Sequence, residues 1–359
     1  APVASNGDNL SLAQIVSGAG QLPDPNVGTG KLVSAEQIVV SGAAGTEGSD
    51  LTVYGYGFDS GHVLSGNIGT VLPAVLTVTG TTVANKVYDG NTTATLSAGV
   101  LQGVVVGENV TLSQTGSFAS KNAATGIAVT AADSLGGTAN LANYTLVQPT
   151  GLSADITPLA ITGSFSAADK VYDGSTLADI SATSLSGLIS GDSVSFTAGS
   201  AFFADRNVGL AKTVHASGMG LSGVDAMNYT VNTTASASAA ITQRPLSTWS
   251  GAGGNNLWSN PANWDALPDL SNVAAVSIPS GAVVFDASVG ATTLDSLTSS
   301  GALSMASGAL TINTGLTATS FMQGGGSLSG NGQFKVNGSF SQSGGSIAMS
   351  SIDITQASG

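Results

Sequence analysis

The chain has no cysteine, which excludes disulfides, thiolate metal sites and a cysteine nucleophile. Charge is nearly as scarce: only 8% of residues are Asp, Glu, Lys or Arg, and 8 basic residues against 21 acidic ones leave a net charge of −13. Binding nucleic acid requires a basic face to neutralise phosphates, and binding anionic lipid requires a polybasic patch; both are excluded as partners. Aromatic residues make up 5% of the chain. No apolar run approaches the roughly 18 residues of a spanning helix, so membrane insertion is not expected. The two histidines, His62 and His215, stand in no recognised Ser-His-carboxylate or metal-ligand pattern. No Gly-rich stretch lies between a strand and a helix to cradle phosphate. No catalytic residue, metal or cofactor is expected, and the chain reads as a non-enzyme. Ala1 opens the chain without Met or a leader, and Gly359 closes it in mid-pattern, as expected of a piece of something longer.

What is present is apolar and small. Hydrophobic content is 42% with 49 glycines among 359 residues, unlike the low-hydrophobicity, high-charge signature of disorder. Ala, Val, Leu and Ile spaced by Thr, Ser and Gly predict short strands and tight turns, hence an all-β chain of two to four domains.

Lys86-Val87-Tyr88-Asp89-Gly90 returns about 84 residues later as Lys170-Val171-Tyr172-Asp173-Gly174. Around it other landmarks recur in order. Opening strands come at Leu76 and Leu159, and Gly-acid steps at Gly107-Glu108 and Gly191-Asp192. Asn-containing turns follow at Ser120-Lys121-Asn122 and Asp205-Arg206-Asn207, then Asn143-Tyr144-Thr145 and Asn228-Tyr229-Thr230. Two complete modules are thereby delimited, 75–157 and 158–245. A partial or diverged module, 1–74, precedes them. Its Asp24-Pro25-Asn26-Val27-Gly28 with Lys31 parallels Asp205-Arg206-Asn207-Val208-Gly209 with Lys212, and Leu51-Thr52-Val53-Tyr54 parallels the Asn-Tyr-Thr strand, but a signature strand is missing. The joints at Ile156-Thr157-Pro158-Leu159 and Ile241-Thr242-Gln243-Arg244-Pro245 leave little slack, so the modules are expected to form a stiff rod.

From Ser247 the pattern changes. Trp249, Trp258 and Trp264 are the only tryptophans and cluster in one segment, 246–286. Beyond it, over 287–359, Gly325-Gly326-Ser327-Leu328 recurs as Gly344-Gly345-Ser346-Ile347, a step of about 19 residues that suits one coil of a parallel β-solenoid. A solenoid needs a cap, and the tryptophan segment stands where an N-terminal cap belongs.

Two of these features invite a binding reading. Three exposed indoles at Trp249, Trp258 and Trp264 would make a glycan-stacking platform; sealed against the first coil they would be a cap, the favoured reading. Lys86, Tyr88, Asp89, Gly90 and Lys170, Tyr172, Asp173, Gly174 contain one Asp per module, far short of a cation site. They read as a strand ending in a turn, with Asp-Gly accepting positive φ and Tyr packing on its sheet. Tyr144 and Tyr229 are expected as core or strand-edge residues. Asn-x-Ser/Thr acceptor patterns occur at Asn9, Asn91, Asn109, Asn143, Asn228, Asn232 and Asn337.

The two complete modules resemble the YDG-type repeats of large bacterial surface exoproteins, on the strength of Lys-Val-Tyr-Asp-Gly and Asn-Tyr-Thr. The tryptophan segment and the coils resemble passenger regions of filamentous-haemagglutinin-type adhesins exported by two-partner secretion. The resemblance implies export of the parent protein by an outer-membrane secretion partner to the extracellular bacterial cell surface, and a role in adhesion, aggregation or biofilm through a host or bacterial surface glycan or protein. The expected architecture is tandem small β-sandwich or β-grasp-like modules followed by a parallel β-solenoid. The expected function is a stiff structural and adhesive segment of a surface fibre. Alternatives are a carbohydrate-binding module using the tryptophans, and a self-associating subunit that polymerises by strand pairing, with the truncated first module accepting a partner's strand.

Overall fold

The computed structural model describes residues 14–41 and 64–355. His62, Asn9 and the Leu51–Tyr54 segment therefore lie outside the described residues. Among those described, regular structure is almost entirely strand, with a few single-turn 3-10 segments and no α-helix. The chain divides into two compact units, Ala1–Thr157 and Pro158–Gly359.

The first unit opens with an antiparallel meander, β1 (Gln14–Gln21), β2 (Gly28–Ser41) and β3 (Leu64–Val71), with β2 in the middle. The complete repeat follows. Its main sheet has five strands in the order Lys86–Val87, Leu152–Thr157, Ala124–Ala131, Gly116–Phe118, Thr93–Ala94, and both edge strands are two residues long. A second sheet sets Ala74–Thr79 between Tyr144–Val147, which is parallel to it, and Val100–Gln102, which is antiparallel. Alternation of apolar and polar residues sends Leu76, Phe118, Val129, Ala154 and Ile156 inward with Tyr88 and Tyr144. Each large side chain so buried contributes about 1.5–3 kcal/mol. The small core accounts for the prominence of these few positions in the repeat pattern.

The second unit begins with the second repeat. Its main sheet has the same order: Lys170–Val171, Thr234–Thr242, Gly209–Ser217, Ser200–Phe203, Leu177–Ala178. In both repeats the Lys-Val pair lies parallel to the last long strand, Lys86 beside Ile156 and Lys170 beside Ile241. Both also carry a register shift at one place, between Ala124 and Ile127 and between Gly209 and Lys212.

After Thr242 the chain enters a seven-stranded sheet that is parallel throughout. Its first strand, Arg244–Thr248, pairs with Val273–Ile278, and the coils then stack as Ala291–Met305, Ala309–Gln323, Ser327–Gln342 and Ser346–Ile354. This is the expected parallel β-solenoid, of about four turns. Like sits on like between coils: Leu297, Leu316, Phe334 and Ile352 form one rung, and Leu303, Phe321 and Phe340 another. Coil turns are tight enough to demand glycine. A Cβ at Gly330, whose φ is 136°, would stand 2.0 Å from the carbonyl oxygen of Ile312 in the coil beneath.

Candidate functional site

The Lys-Val-Tyr-Asp-Gly signature builds a turn that closes on itself. Lys86 Nζ donates to Asp89 Oδ1 at 2.7 Å and to the Asn91 carbonyl at 2.8 Å, and Lys170 Nζ to Asp173 Oδ1 and the Ser175 carbonyl, both at 2.9 Å. The same carboxylate oxygens accept the backbone N–H of Asn91 (3.1 Å) and Ser175 (2.8 Å). Gly90 and Gly174 supply the left-handed conformation that this turn needs, at φ 79° and 80°. Each lysine also lies 5.6 Å from the ring centre of a phenylalanine on the fourth strand of the same sheet, Phe118 or Phe203. Partial burial opposes ionisation of Asp89 and Asp173, but the lysine and N–H contacts outweigh it and hold both carboxyls below the usual range. The turn reading of the signature thus has a geometric basis, and Asp89 and Asp173 are occupied by lysine.

The Gly-acid landmark has a partner as well. Tyr144 donates its hydroxyl proton to Glu108 Oε2 at 2.6 Å and accepts the Val105 N–H at 3.3 Å, while Tyr229 donates to Asp192 Oδ2 at 2.5 Å and accepts from Ile189 at 3.2 Å. The hydrogen bond to Glu108 raises the Tyr144 pKa above its ordinary value. The rings are in the core, and their hydroxyls tie down a long loop.

The signature tyrosine of the second repeat reaches beyond its own sheet. Tyr172 is fully buried, and its hydroxyl lies 3.0 Å from both the Leu267 carbonyl and Asp269 Oδ1, groups of the tryptophan segment. Its oxygen accepts a hydrogen bond from Arg206 Nη1 at 2.9 Å, and Arg206 Nη2 is paired with Asp269 Oδ2. Burial, followed by the charge on Asp269, raises the Tyr172 pKa well above its ordinary value. The Asp269 carboxylate is almost wholly buried, as is tolerated only where charge and hydrogen bonds compensate.

Beside this network sits a two-bond clasp. Val208 N–H donates to Asn272 Oδ1 at 2.9 Å, and Asn272 Nδ2 returns a bond to Asn207 Oδ1 at 3.1 Å. The first unit repeats it: Val27 N–H donates to Asn143 Oδ1 at 2.9 Å, and Asn143 Nδ2 donates to Asn26 Oδ1 at 3.0 Å. In each case an Asp-x-Asn-Val-Gly loop inserts into a turn of the form Asx-x-x-Asn, closed by Asn143 N–H to the Asn140 carbonyl and Asn272 N–H to the Asp269 carbonyl, each 3.0 Å. The loop itself is stiffened by Lys31–Asp24 at 2.6 Å and Lys212–Asp205 at 2.5 Å. These lysine hydrogen bonds hold Asp24 and Asp205 below the usual carboxylate range.

The tryptophans are interior. Trp249, Trp258 and Trp264 are 5%, 0% and 6% exposed, with Trp264 stacked edge-on to Trp249 at 4.9 Å and tilted against Trp258 at 4.7 Å. Trp258 meets Phe285 of the first coil at 5.1 Å, and both inner indole N–H groups are satisfied, Trp258 by the Pro268 carbonyl and Trp264 by the Trp258 carbonyl, at 2.8 Å each. The glycan platform is corrected on this point: rings that seal a solenoid end present no face for a sugar. Large apolar area next to an open coil end is what buries them.

The other candidates are dispersed. His215 shares a 3.0 Å hydrogen bond with Ser236 on an open sheet face, away from any carboxylate pairing. Of the Asn acceptor patterns, Asn143 is held in the clasp, Asn228 is buried, Asn91 binds Lys86 and Asn232 bridges to Gly163; Asn109 and Asn337 are exposed. The sequence reading missed Asp269 and Asn272. The recurrence of Asp-x-Asn-Val-Gly was a visible signal, but their pairing lies about 65 residues along the chain, outside the repeat.

No curated protein and no solved structure is similar to this chain. The YDG domain family matches residues 72–151 and again 157–237, so the chain carries two YDG domains in tandem, one in each copy of the Lys-Val-Tyr-Asp-Gly repeat.

Proposed function

We propose that the chain is a structural and adhesive segment of a secreted bacterial surface fibre of filamentous-haemagglutinin type, acting as a stiff spacer in adhesion, aggregation or biofilm. One observation carries this reading. The most distinctive residues of the chain are engaged in joints. Tyr172, Arg206 and Asn207 of a YDG domain meet Asp269 and Asn272 of the solenoid cap through a buried carboxylate and a set of buried and half-buried hydrogen bonds. A joint of this kind resists bending, because hinge motion would break the Arg206–Asp269 pair and the hydrogen bonds that compensate the buried carboxylate. A solenoid of like-on-like rungs supports the same role, since it adds length without changing its cross-section.

In this reading the chain is not an enzyme. It works outside the cell on the bacterial surface, after export with an outer-membrane secretion partner, and contacts a host or bacterial glycan or protein through many weak surface interactions. The lack of cysteine and the low charge fit a segment stabilised by repetition. The test is mechanical. Pulling residues 158–359 between their ends in a single-molecule experiment should unfold the YDG domain and the cap in one event, and solution scattering of the whole chain should give an elongated, persistent particle. Separate low-force events at the joint, or scattering from freely jointed units, would overturn the spacer role.

A further inference from the structure

We infer that the outer face of the main sheet of the second YDG domain is a binding site for a neutral hexose-type glycan, built from Phe202, His215 and Ser236. The inference rests on the proposed adhesive role and gives it a site and a ligand class; the spacer role does not depend on it.

Register puts the site together. Leu177 lies opposite Phe202, Phe202 opposite His215, and His215 opposite Ser236, so one row across four strands carries all four side chains on the same face. Alternation sends the adjacent Phe203 and Val214 into the core, while Leu177 is 55% and Phe202 46% exposed. The five strands of this sheet are all in place, in the same order as in the first domain, so no absent strand accounts for the exposure. The first YDG domain serves as the control. Its corresponding row sets Thr93 opposite Ser117 and Ser117 opposite Thr130, hydroxyls only. The fold therefore does not require Leu, Phe or His at these places. A single exposed apolar residue is ordinary, but large side chains set side by side where the same fold accepts Ser and Thr point to contact with a ligand.

Charge and shape name the occupant. Phe202, His215, Ser217, Thr234 and Ser236 line an open hollow of about 700 Å3, within the range of about 300–1,000 Å3 of small-ligand sites. No Asp, Glu, Lys or Arg lines it, so a charged ligand, an acidic glycan included, would meet no ionic partner. A pyranose has what these walls complement: an apolar C–H face that stacks on an aromatic ring, and a rim of hydroxyls. Phe202 supplies the ring, and Ser217 and Thr234 supply hydroxyls for the rim. Ser236 Oγ engages His215 Nδ1 at 3.0 Å, which fixes the imidazole and leaves Nε2 for a sugar hydroxyl. A peptide strand would pair with a sheet edge instead, and both edge strands of this sheet are two residues long.

The probes are cellohexaose, maltohexaose, mannohexaose and galactotetraose, with heparin as the acidic counterpart, each titrated onto the intact chain. The chain has two histidines, so imidazole proton signals in NMR report the site directly, and those of His215 are identified by their loss in His215→Thr. At least one neutral sugar should shift the His215 signals saturably, with a millimolar dissociation constant, and heparin should leave them in place. Phe202→Ser should weaken that binding at least about fivefold. Phe202→Ser and His215→Thr both write the first domain's residues onto the second, so the tryptophan-detected unfolding midpoint should stay unchanged in each. No neutral sugar moving the His215 signals at millimolar concentration, binding indifferent to Phe202→Ser, or binding of heparin alone overturns the assignment. So does a shift of the His215 signals on dilution of the free chain, which would give the face to a second copy. An elongated particle in scattering that binds no sugar here would remove this site and leave the spacer role standing.

Discussion

Replacing Tyr172 by Phe removes one oxygen and leaves the ring, so the test is free of cavity effects. That oxygen accepts one charge-assisted bond from Arg206 at 2.9 Å and shares its proton between the Leu267 carbonyl and Asp269, each at 3.0 Å. A bond to a charged group is worth about 1.5–3 kcal/mol and a neutral one about 0.5–1.5 kcal/mol, so the loss should be about 3 kcal/mol. Asp269 keeps Arg206 and Asn272, which prevents a larger collapse. The assay is built into the chain. All three tryptophans belong to the cap, whereas Tyr172 belongs to the YDG domain, so tryptophan fluorescence reports the joint from its far side. With a urea m-value of about 2 kcal/mol/M, the midpoint should fall by about 1–2 M. A double-mutant cycle with Asp269→Asn should return a coupling of about 0.5–3 kcal/mol. A tryptophan-detected midpoint unmoved by Tyr172→Phe would refute the reasoning, because the cap would then unfold without regard to the repeat.

Three other outcomes follow from the same geometry. Asn272→Ala strips the Val208 N–H and the Asn207 Oδ1 of their partners, and should lower stability by about 1–3 kcal/mol in the same urea titration. Trp258→Ala should cost about 3–5 kcal/mol, read as a lowered melting temperature, and leave binding to a glycan panel unaffected. Alkali should loosen the joint. Because burial and Asp269 raise the folded Tyr172 pKa, its contribution is full below the unfolded value of about 10 and is lost as pH climbs from there towards the folded value. Melting temperature measured from pH 8 to pH 11 should therefore fall more steeply in the native chain than in Tyr172→Phe.

Period and alternation made the repeats and the solenoid legible. Lys-Val-Tyr-Asp-Gly and Asn-Tyr-Thr mark the modules because each contains residues that close a turn or tie a loop, at Asp89 and Tyr144 for example, and such local chemistry must stand at fixed spacing. The Gly-Gly-Ser steps mark coil corners where a Cβ has no room; at Gly325 it would meet the Ala306 carbonyl oxygen at 2.5 Å. The Arg206–Asp269 pairing left no trace of this kind. It occurs once, between a repeat and a segment that does not repeat, so no internal copy shows it. The tryptophans were ambiguous for a different reason: a sealed cap and an exposed platform call for the same residue type, and only burial separates them. The first solenoid strand, Arg244–Thr248, hid behind Pro245, which an outermost strand accommodates where an inner one would lose a ladder bond.

The two-residue outer strands of both YDG domains, Lys86–Val87 with Thr93–Ala94 and Lys170–Val171 with Leu177–Ala178, have a bearing on life at high density. A neighbour seeking to zip onto either sheet finds a template of two residues before the backbone turns away, with a lysine at its start on one margin. At these margins the YDG sheets of neighbouring chains cannot zip into a continuous cross-molecular sheet. Close approach of two such sheets is therefore limited by how soon each margin stops, in addition to the mutual repulsion of chains that each carry a net charge of −13.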